Sequence, residues 1–177
     1  SMHEQLLTRQ TVFAGRLLTV YRDEVLLPDG RRSMREVVHH PGAVAVLPVL
    51  PDGRLVLVEQ YRHAVGRTLL EVPAGTREPD ESAEACAGRE LEEETGYRAG
   101  VLRELIRFAV SPGWTDEELM IFVAQDLEPG AARPRDDERV TVHALTEEEA
   151  LAAIRRGAIC DAKSLIALLG YFGWKLV

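Results

Sequence analysis

Residues 75–97 read GTREPDESAEACAGRELEEETGY, a glycine turn followed by a segment rich in alanine and glutamate. Residues 81–95 favour a helix, and Gly96 follows them where glycine commonly ends helices. A helix turns by about 100° per residue, so three carboxylates fall on one stripe of it. These residues are Glu90, Glu93 and Glu94. The stretch therefore predicts an acidic helix directly after a tight loop.

The acidic stripe has two interpretations. A run of glutamates is most often a solvent-exposed face, and like charges at this spacing weaken a helix by roughly a few tenths of a kcal/mol. Arg89, four residues before Glu93, offsets part of that repulsion. Alternatively, hard cations such as Mg²⁺ take oxygen ligands, usually one or two carboxylates plus substrate phosphates. Gly75 permits a positive φ that turns the Ala74 carbonyl toward such an ion. Glu81 either reaches back toward this cluster or caps the helix N-terminus.

The spacing of these residues favours the second interpretation. Gly75 is followed after five residues by Glu81, and after seven more by the run from Arg89 to Tyr97. This pattern resembles the box of the Nudix hydrolase family at every fixed position. Tyr97 is a mild departure, since the pattern has a bulky aliphatic residue there. In the family, this loop–helix–loop binds divalent cations, and the enzyme hydrolyses a nucleoside diphosphate linked to another moiety.

The resemblance implies roles for the residues of the box. Glu90 and Glu94 are expected as direct metal ligands, with Glu93 and the Ala74 carbonyl as further contacts. Arg89 is also expected to be a catalytic residue. The expected metal is Mg²⁺, with Mn²⁺ as an alternative. Divalent cations suit this chemistry because they neutralise the charge of a diphosphate and activate water.

Segments outside the box resemble the ADP-ribose pyrophosphatase branch of the family. These segments are E-Q-Y-R at 59–62, E-V-P-A-G at 71–75 and S-P-G at 111–113, which contains the marker Pro112. The resemblance covers residues 35–169 and implies hydrolysis of ADP-ribose to AMP and ribose 5-phosphate. Another nucleoside diphosphate sugar is an alternative substrate. A module that binds ADP-ribose without cleaving it is a second alternative, which the three retained glutamates disfavour.

The same resemblance suggests substrate residues and a general base. Arg62 is expected on the diphosphate, which a guanidinium binds in a bidentate way, although an exposed strand-end arginine is the alternative. Arg35 is expected near the adenine and phosphate. Glu117 is expected near the terminal ribose, or is a plain loop carboxylate. Glu138, in a late acidic loop, is the predicted base, and Glu93 competes for that role.

Composition limits the partners. The 177 residues include 29 acidic and 21 basic ones, with a net charge of -8 that repels nucleic acid and anionic membranes. No apolar run reaches the ~18 residues of a membrane span. The two cysteines, Cys86 and Cys160, form no disulfide framework, and we expect Cys86 in the core. We therefore expect a cytoplasmic enzyme with a small-molecule substrate and neither a nucleic-acid nor a membrane partner.

Strands and helices are mixed without regular alternation, which predicts an α/β (α+β) fold with a mixed sheet sandwiched between helices. Residues 1–42 are expected to form an N-terminal antiparallel β hairpin, and residues 43–177 the Nudix domain. The hairpin resembles the segment that this branch uses for dimerisation, so a homodimer is expected. The predicted strands lie at 17–27, 34–40, 43–50, 54–61 (the hairpin partner of 43–50), 68–72, 101–110, 118–124 and 140–145. Further helices are predicted from Thr146, with Glu149 completing a capping box, and over 161–174.

Overall fold

The structure is a computed structural model that describes residues 2–133 and 139–173. This part of the chain contains ten strands, three α-helices and a 3-10 turn at His63–Val65. The strands are β1 (Gln5–Ala14), β2 (Thr19–Leu26), β3 (Arg32–His39), β4 (Ala43–Pro48), β5 (Leu55–Arg62), β6 (Arg67–Glu71), β7 (Ala74–Thr76), β8 (Tyr97–Ala109), β9 (Glu118–Pro129) and β10 (Val140–Leu145). The helices are α1 (Ala83–Thr95), α2 (Glu147–Arg155) and α3 (Ala162–Tyr171).

The chain divides into two compact units. The first unit comprises Ser1–Gly42 and Phe108–Glu118, and the second comprises Ala43–Arg107 and Leu119–Val177. Residues 108–118 are thus grouped with the N-terminal residues in the first unit. The division into domains at residue 42 that the sequence suggested stays a prediction.

The first unit contains an antiparallel sheet in the order β1-β2-β3. The predicted hairpin is present as β2 and β3, joined through a turn in which Gly30 has a φ of 86°. Strand β1 was not predicted from the sequence. Nearly every residue of β1 is exposed, so the strand has no alternation of buried and exposed positions to reveal it.

An ion pair between a half-exposed arginine and a buried aspartate joins β1 to β2. Asp23 is only 4% exposed, and it accepts two hydrogen bonds from Arg9, which lies opposite it in the register. The Nε–Oδ1 and Nη2–Oδ2 distances are 2.9 and 2.7 Å. The Arg9 guanidinium also lies 4.2 Å from the centre of the Tyr21 ring. The hydrogen bonds from Arg9 outweigh burial and lower the pKa of Asp23 below its usual value.

The second unit contains two sheets. One is antiparallel in the order β10-β5-β6, and the other is mixed in the order β7-β4-β9-β8, with β4 parallel to β9 and antiparallel to β7. The expected α+β fold with a mixed sheet is therefore confirmed. The expected pairing of β4 with β5 as a hairpin is wrong. Because β7 and β9 occupy both edges of β4, β5 pairs with β6 and β10, and the two segments of the expected hairpin meet at a Val49–Leu55 bridge and at a hydrogen bond from the Leu50 amide to the Arg54 carbonyl.

The core of the second unit is apolar and supports α1. Strand β4 is buried along almost its whole length, as its unbroken apolar run predicted. Helix α1 packs Leu91 and Cys86 into this core, and both side chains are fully buried. Cys86 is thus the core residue that was expected.

Local signals set the helix ends. Ser82 caps α1 by accepting a hydrogen bond from the Ala85 amide, and Gly96 ends the helix with a φ of 77°. The predicted capping box of α2 is present, with Thr146 and Glu149 exchanging side-chain and backbone hydrogen bonds. Asp161 caps α3. No helix in the described ranges is long and apolar enough to cross a membrane.

The Arg9–Asp23 pair gives a test of the N-terminal sheet. We expect Asp23→Asn to lower the free energy of unfolding by about 1 kcal/mol, because it removes the charge-assisted hydrogen bonds from Arg9. The effect is modest because Arg9 is half-exposed and solvent screens the pair. In the wild type, the pKa of Asp23 is lower in the folded protein than in the unfolded chain. The ion pair therefore stabilises the fold fully above about pH 4, and this stabilisation is lost as the pH falls through the pKa of folded Asp23. Urea unfolding measured from neutral to acid pH should give a shallower acid decline for the variant. Identical declines would contradict the assignment.

Candidate functional site

Two buried glutamates of α1 lie against the start of β7. Glu90 and Glu94 are each only 3% exposed. A Cβ added to Gly75 would lie 2.0 Å from the carboxyl carbon of Glu90, so the carboxylate occupies the space beside the glycine backbone. The Ala74 amide donates a hydrogen bond of 3.3 Å to Glu94 Oε2. The helix therefore presents both carboxylates to the Ala74–Gly75 segment.

The reason for the glycine differs from the one expected. Gly75 is not among the glycines with positive φ in the structure, so the predicted left-handed turn is wrong at this position. Gly75 is a strand residue, paired with Val44 of β4. A side chain there would overlap the Glu90 carboxylate in its present position, so glycine leaves free the space that this carboxylate occupies. The contact seen at Ala74 is made by its amide, and the predicted role of its carbonyl stays a prediction.

Arg89 connects the glutamates into one network. Its Nε and Nη2 atoms donate to Glu81 Oε1 and Oε2 at 2.8 and 2.9 Å, and its Nη1 donates to Glu90 Oε1 at 2.6 Å. The same Nη1 lies 3.3 Å from Glu93 Oε2, which is the predicted i,i+4 contact. Arg89 thus contacts three carboxylates and offsets their mutual repulsion.

Glu81 fixes Arg89 from the other side. Of its two predicted roles, the structure shows the one toward the cluster, through Arg89, while Ser82 caps the helix. Hydrogen bonds from Arg89, above all, lower the pKa of Glu81 to about 2. Hydrogen bonds to Glu81, above all, raise the pKa of Arg89 further, so Glu81 and Arg89 both stay charged over the physiological range.

The chemistry of this donor set suits a hard divalent cation. Carboxylates buried together are costly unless a cation compensates them. Within residues 2–133 and 139–173, no three histidine, cysteine, aspartate or glutamate side chains already converge as a metal cluster. Mg²⁺ does not require one, because it usually takes one or two protein carboxylates and completes its shell with water and substrate phosphates. Glu90 and Glu94 fit that mode.

A second charged group lies at the end of β5. Arg62 donates from Nε and Nη2 to the two oxygens of Glu71, at 2.7 and 2.8 Å. Glu71, on β6, is 1% exposed, and it also accepts a hydrogen bond from Lys163 of α3. Burial opposes ionisation of Glu71, but these two cations prevail and lower its pKa. Arg62 is therefore held in place by Glu71, and its expected contact with the diphosphate stays a prediction.

The sequence did not reveal Glu71 and Lys163 as parts of this network. The available signal was a single charge, Glu71, in the apolar run T-L-L-E-V at 68–72. A buried charge needs a partner. The identity of that partner, about ninety residues away in the chain, depends on the fold.

The other predicted substrate residues lie in the first unit. Arg35 pairs with Glu4 through Nε and Nη2, at 3.0 and 2.5 Å. A carboxylate oxygen of Glu117 lies 3.8 Å from His40 Nδ1. Their expected contacts with substrate stay predictions.

The predicted base, Glu138, lies outside the described residues. The segment leading toward it is described as far as Arg133, whose amide donates to the Glu93 carbonyl at 2.9 Å. A Cβ added to Gly130 would lie 2.6 Å from the Gly96 carbonyl oxygen. The chain leaving β9 therefore packs closely against the C-terminal end of α1.

Comparison with known domain families gives two matches that together span most of the chain. The NUDIX domain model matches residues 38–167, and the model of the nucleoside diphosphate sugar hydrolase N-terminal domain matches residues 4–38. The boundary between the two matches falls in β3, close to the end of the first segment of the first unit.

Individual proteins resemble the chain over nearly its full length. An ADP-ribose pyrophosphatase of Bacillus subtilis is 40% identical over 95% of this chain and 92% of its own length. A methanol dehydrogenase activator of Bacillus methanolicus is 42% identical, with coverages of 93% and 90%. The crystal structure of an ADP compounds hydrolase is 26% identical and superposes with a TM-score of 0.87 over 98% of this chain and 95% of that one. The glutamate helix lies against Gly75, the NUDIX model matches most of the chain, and the relatives align over nearly all of it. This chain therefore belongs to the Nudix hydrolase family.

Proposed function

We propose that the protein hydrolyses the diphosphate bond of ADP-ribose to AMP and ribose 5-phosphate, with Mg²⁺ as the cofactor and Mn²⁺ as a substitute. The observation that carries the hydrolase chemistry is the pair of buried carboxylates, Glu90 and Glu94, against the Ala74–Gly75 backbone. The choice of substrate is supported by the ADP-ribose pyrophosphatase of B. subtilis at 40% identity.

Each group of the site has a proposed task. Glu90 and Glu94 hold the cation, with Glu93 and the Ala74 carbonyl as further contacts, and Arg89 keeps Glu90 in position. A divalent cation, when bound, neutralises the diphosphate charge and activates water. Arg62 binds the diphosphate oxygens, for which a guanidinium is suited in charge and shape.

The reaction adds one water across the diphosphate. The water oxygen bonds to one phosphorus, and the bridging oxygen leaves with the other. A carboxylate accepts the proton from the water, and Glu138 is our proposed base, with Glu93 as the competing candidate. Glu93 is part of the Arg89 network, in which Arg89 Nη1 lies 3.3 Å from Glu93 Oε2.

A second substrate class has a specific observation in its favour. The structural neighbour hydrolyses ADP compounds as a class, by its description, and the B. methanolicus relative carries a different functional name at 42% identity. Another nucleoside diphosphate sugar is therefore the alternative substrate. A module that binds without cleaving is disfavoured, because Glu90, Glu93 and Glu94 are all present with Arg89 in place.

The proposal extends to assembly and compartment. Strand β1 is the edge of the N-terminal sheet and exposes Leu6, Val12 and Phe13, which are 49%, 47% and 56% accessible. An exposed apolar edge strand is a template for pairing with another chain. We propose that two copies associate through this sheet.

Cys86 and Cys160 are free thiols, which supports a reducing compartment such as the cytoplasm.

We expect the purified protein to elute as a dimer in size-exclusion chromatography with light scattering. Phe13→Glu should shift it toward the monomer, because the change places a charge on the exposed edge. Arg54→Glu, in an exposed turn of the second unit, is the control and should leave the dimer unchanged. A monomeric wild type at micromolar concentration would rule the dimer out.

The proposed reaction is tested by release of AMP from ADP-ribose with Mg²⁺, with Mn²⁺ and with EDTA. We expect turnover with either metal and loss of turnover with the chelator. A panel of other nucleoside diphosphate sugars is run in parallel. Preferred turnover of another member of the panel would overturn the substrate but not the reaction. Tight binding of ADP-ribose without cleavage of any compound would support the binding module.

Substitution of the proposed metal ligands tests the site. We expect Glu90→Gln and Glu94→Gln each to lower kcat on the order of 100-fold to 1,000-fold, a loss typical for one removed electrostatic stabiliser. Glu92→Gln, on the opposite side of α1, is the matched control and should keep wild-type activity. Circular dichroism checks that each variant is folded. A folded Glu94→Gln protein with near wild-type kcat would refute the ligand assignment.

A further inference from the structure

We infer that Glu71 and Lys163 are positioning residues that hold the Arg62 guanidinium in its binding orientation. The inference rests on the proposed function, because it concerns how Arg62 reaches the diphosphate. It adds two residues, from β6 and α3, to a site otherwise built from β5, β7 and α1.

The geometry at Arg62 fixes the plane of the guanidinium. Glu71 takes the Nε and Nη2 edge through two parallel hydrogen bonds of 2.7 and 2.8 Å. Such a bidentate pair prevents rotation about the end of the side chain. Among the residues that the structure describes, the Nη1 group of Arg62 has no hydrogen-bond partner, and 39% of the side chain is exposed. The guanidinium thus has one edge bound to protein and one edge open to a ligand.

Arg62 is electrostatically coupled to the glutamate site. The charge of Glu94, a proposed metal ligand, contributes to the raised pKa of Arg62, after the hydrogen bonds and charge of Glu71. A substrate that bridges a cation at Glu94 and the guanidinium would contact both. Because the guanidinium is fixed before the substrate arrives, binding loses less side-chain entropy.

Glu71 does not depend on Arg62 for its own position. Lys163 donates to Glu71 from the first turn of α3, and its ammonium also lies 2.7 Å from Asp161, the residue that caps that helix. The neighbouring Ser164 is fully buried, and its hydroxyl accepts a hydrogen bond of 3.0 Å from the Val72 amide. The start of α3 therefore holds both the Glu71 side chain and the backbone that leads into Ala74–Gly75.

A purely structural ion pair is the alternative explanation. Buried ion pairs are weak contributors to stability, and apolar replacements of similar volume are often neutral or stabilising. Stability alone therefore gives little reason to bury Glu71 in an apolar strand. A positioning role accounts for both the buried carboxylate and the exposed edge of Arg62.

The test is a double-mutant cycle on hydrolysis, which separates positioning from support of the fold. Glu71→Gln, Arg62→Ala and the double variant are assayed for kcat and KM with ADP-ribose. We expect Glu71→Gln to raise KM about 10-fold, the effect of one lost charge-assisted hydrogen bond. In the Arg62→Ala background, the same change should alter KM less than about 2-fold, because the residue on which Glu71 acts is gone.

Lys163→Met is the second variant, in case Glu71→Gln does not fold. We expect it to raise KM less than Glu71→Gln does, and again only when Arg62 is present. Asp52→Asn is the control, because it removes a carboxylate from an exposed arginine pair of the same unit at a similar distance, 2.8 Å, and should leave KM unchanged. Thermal unfolding of every variant records stability separately.

The outcomes distinguish the inference from the function on which it rests. Effects of Glu71→Gln that are equally large with and without Arg62 would overturn the positioning role. So would a loss of thermal stability with no change in KM. If the wild type hydrolyses a different nucleoside diphosphate sugar, the proposed substrate fails, and the same cycle on that compound still decides the role of Glu71.

Discussion

Glu90 occupies the space that a side chain at position 75 would need, and several elements of the second unit position the two residues that meet there. Strand β4 pairs with Gly75 and is itself held between β7 and β9. Helix α1 packs Leu91 and Cys86 against the same core, which sets the depth at which Glu90 meets the strand. Both partners thus belong to packed secondary-structure elements, which is where a cation site is held most accurately.

Charge compensation is the second constraint on the site. Three carboxylates on one helix repel each other, and two of them are buried, so neutral packing alone would not keep them there. Arg89 answers this locally, through contacts with Glu81, Glu90 and Glu93. Arg62 and Lys163 compensate Glu71 in the same way from a different direction. Arginine and lysine side chains thus hold several carboxylates of the site, and Glu90 and Glu94 present their carboxylate oxygens to the Ala74–Gly75 segment.

The motif could be recognised from the sequence, although the backbone geometry at Gly75 was predicted wrongly. Residues 75–97 are contiguous, and their spacing follows from the pitch of one helix, so the acidic stripe and the Arg89–Glu93 contact could be predicted. The helix caps at Gly96 and Thr146 could be predicted for the same reason, since they depend on a few neighbouring residues. The positive φ assigned to Gly75 was wrong, because Gly75 is a strand residue paired with Val44, and the group that occupies the space beside it is the side chain of Glu90, fifteen residues away.

By itself, the sequence determined the family motif, the mixed fold class, the apolar strand β4 and the helices, because these depend on composition and short spacings. It could not reveal strand β1, because nearly every residue of this strand is exposed and there is no alternation of buried and exposed positions. It could not decide that β5 pairs with β6 and β10, because the choice depends on which edges of β4 are already occupied. Only the tertiary structure joined Arg62 to Glu71 and Glu71 to Lys163, since a charge buried in one strand finds its partner wherever the fold brings another element past it.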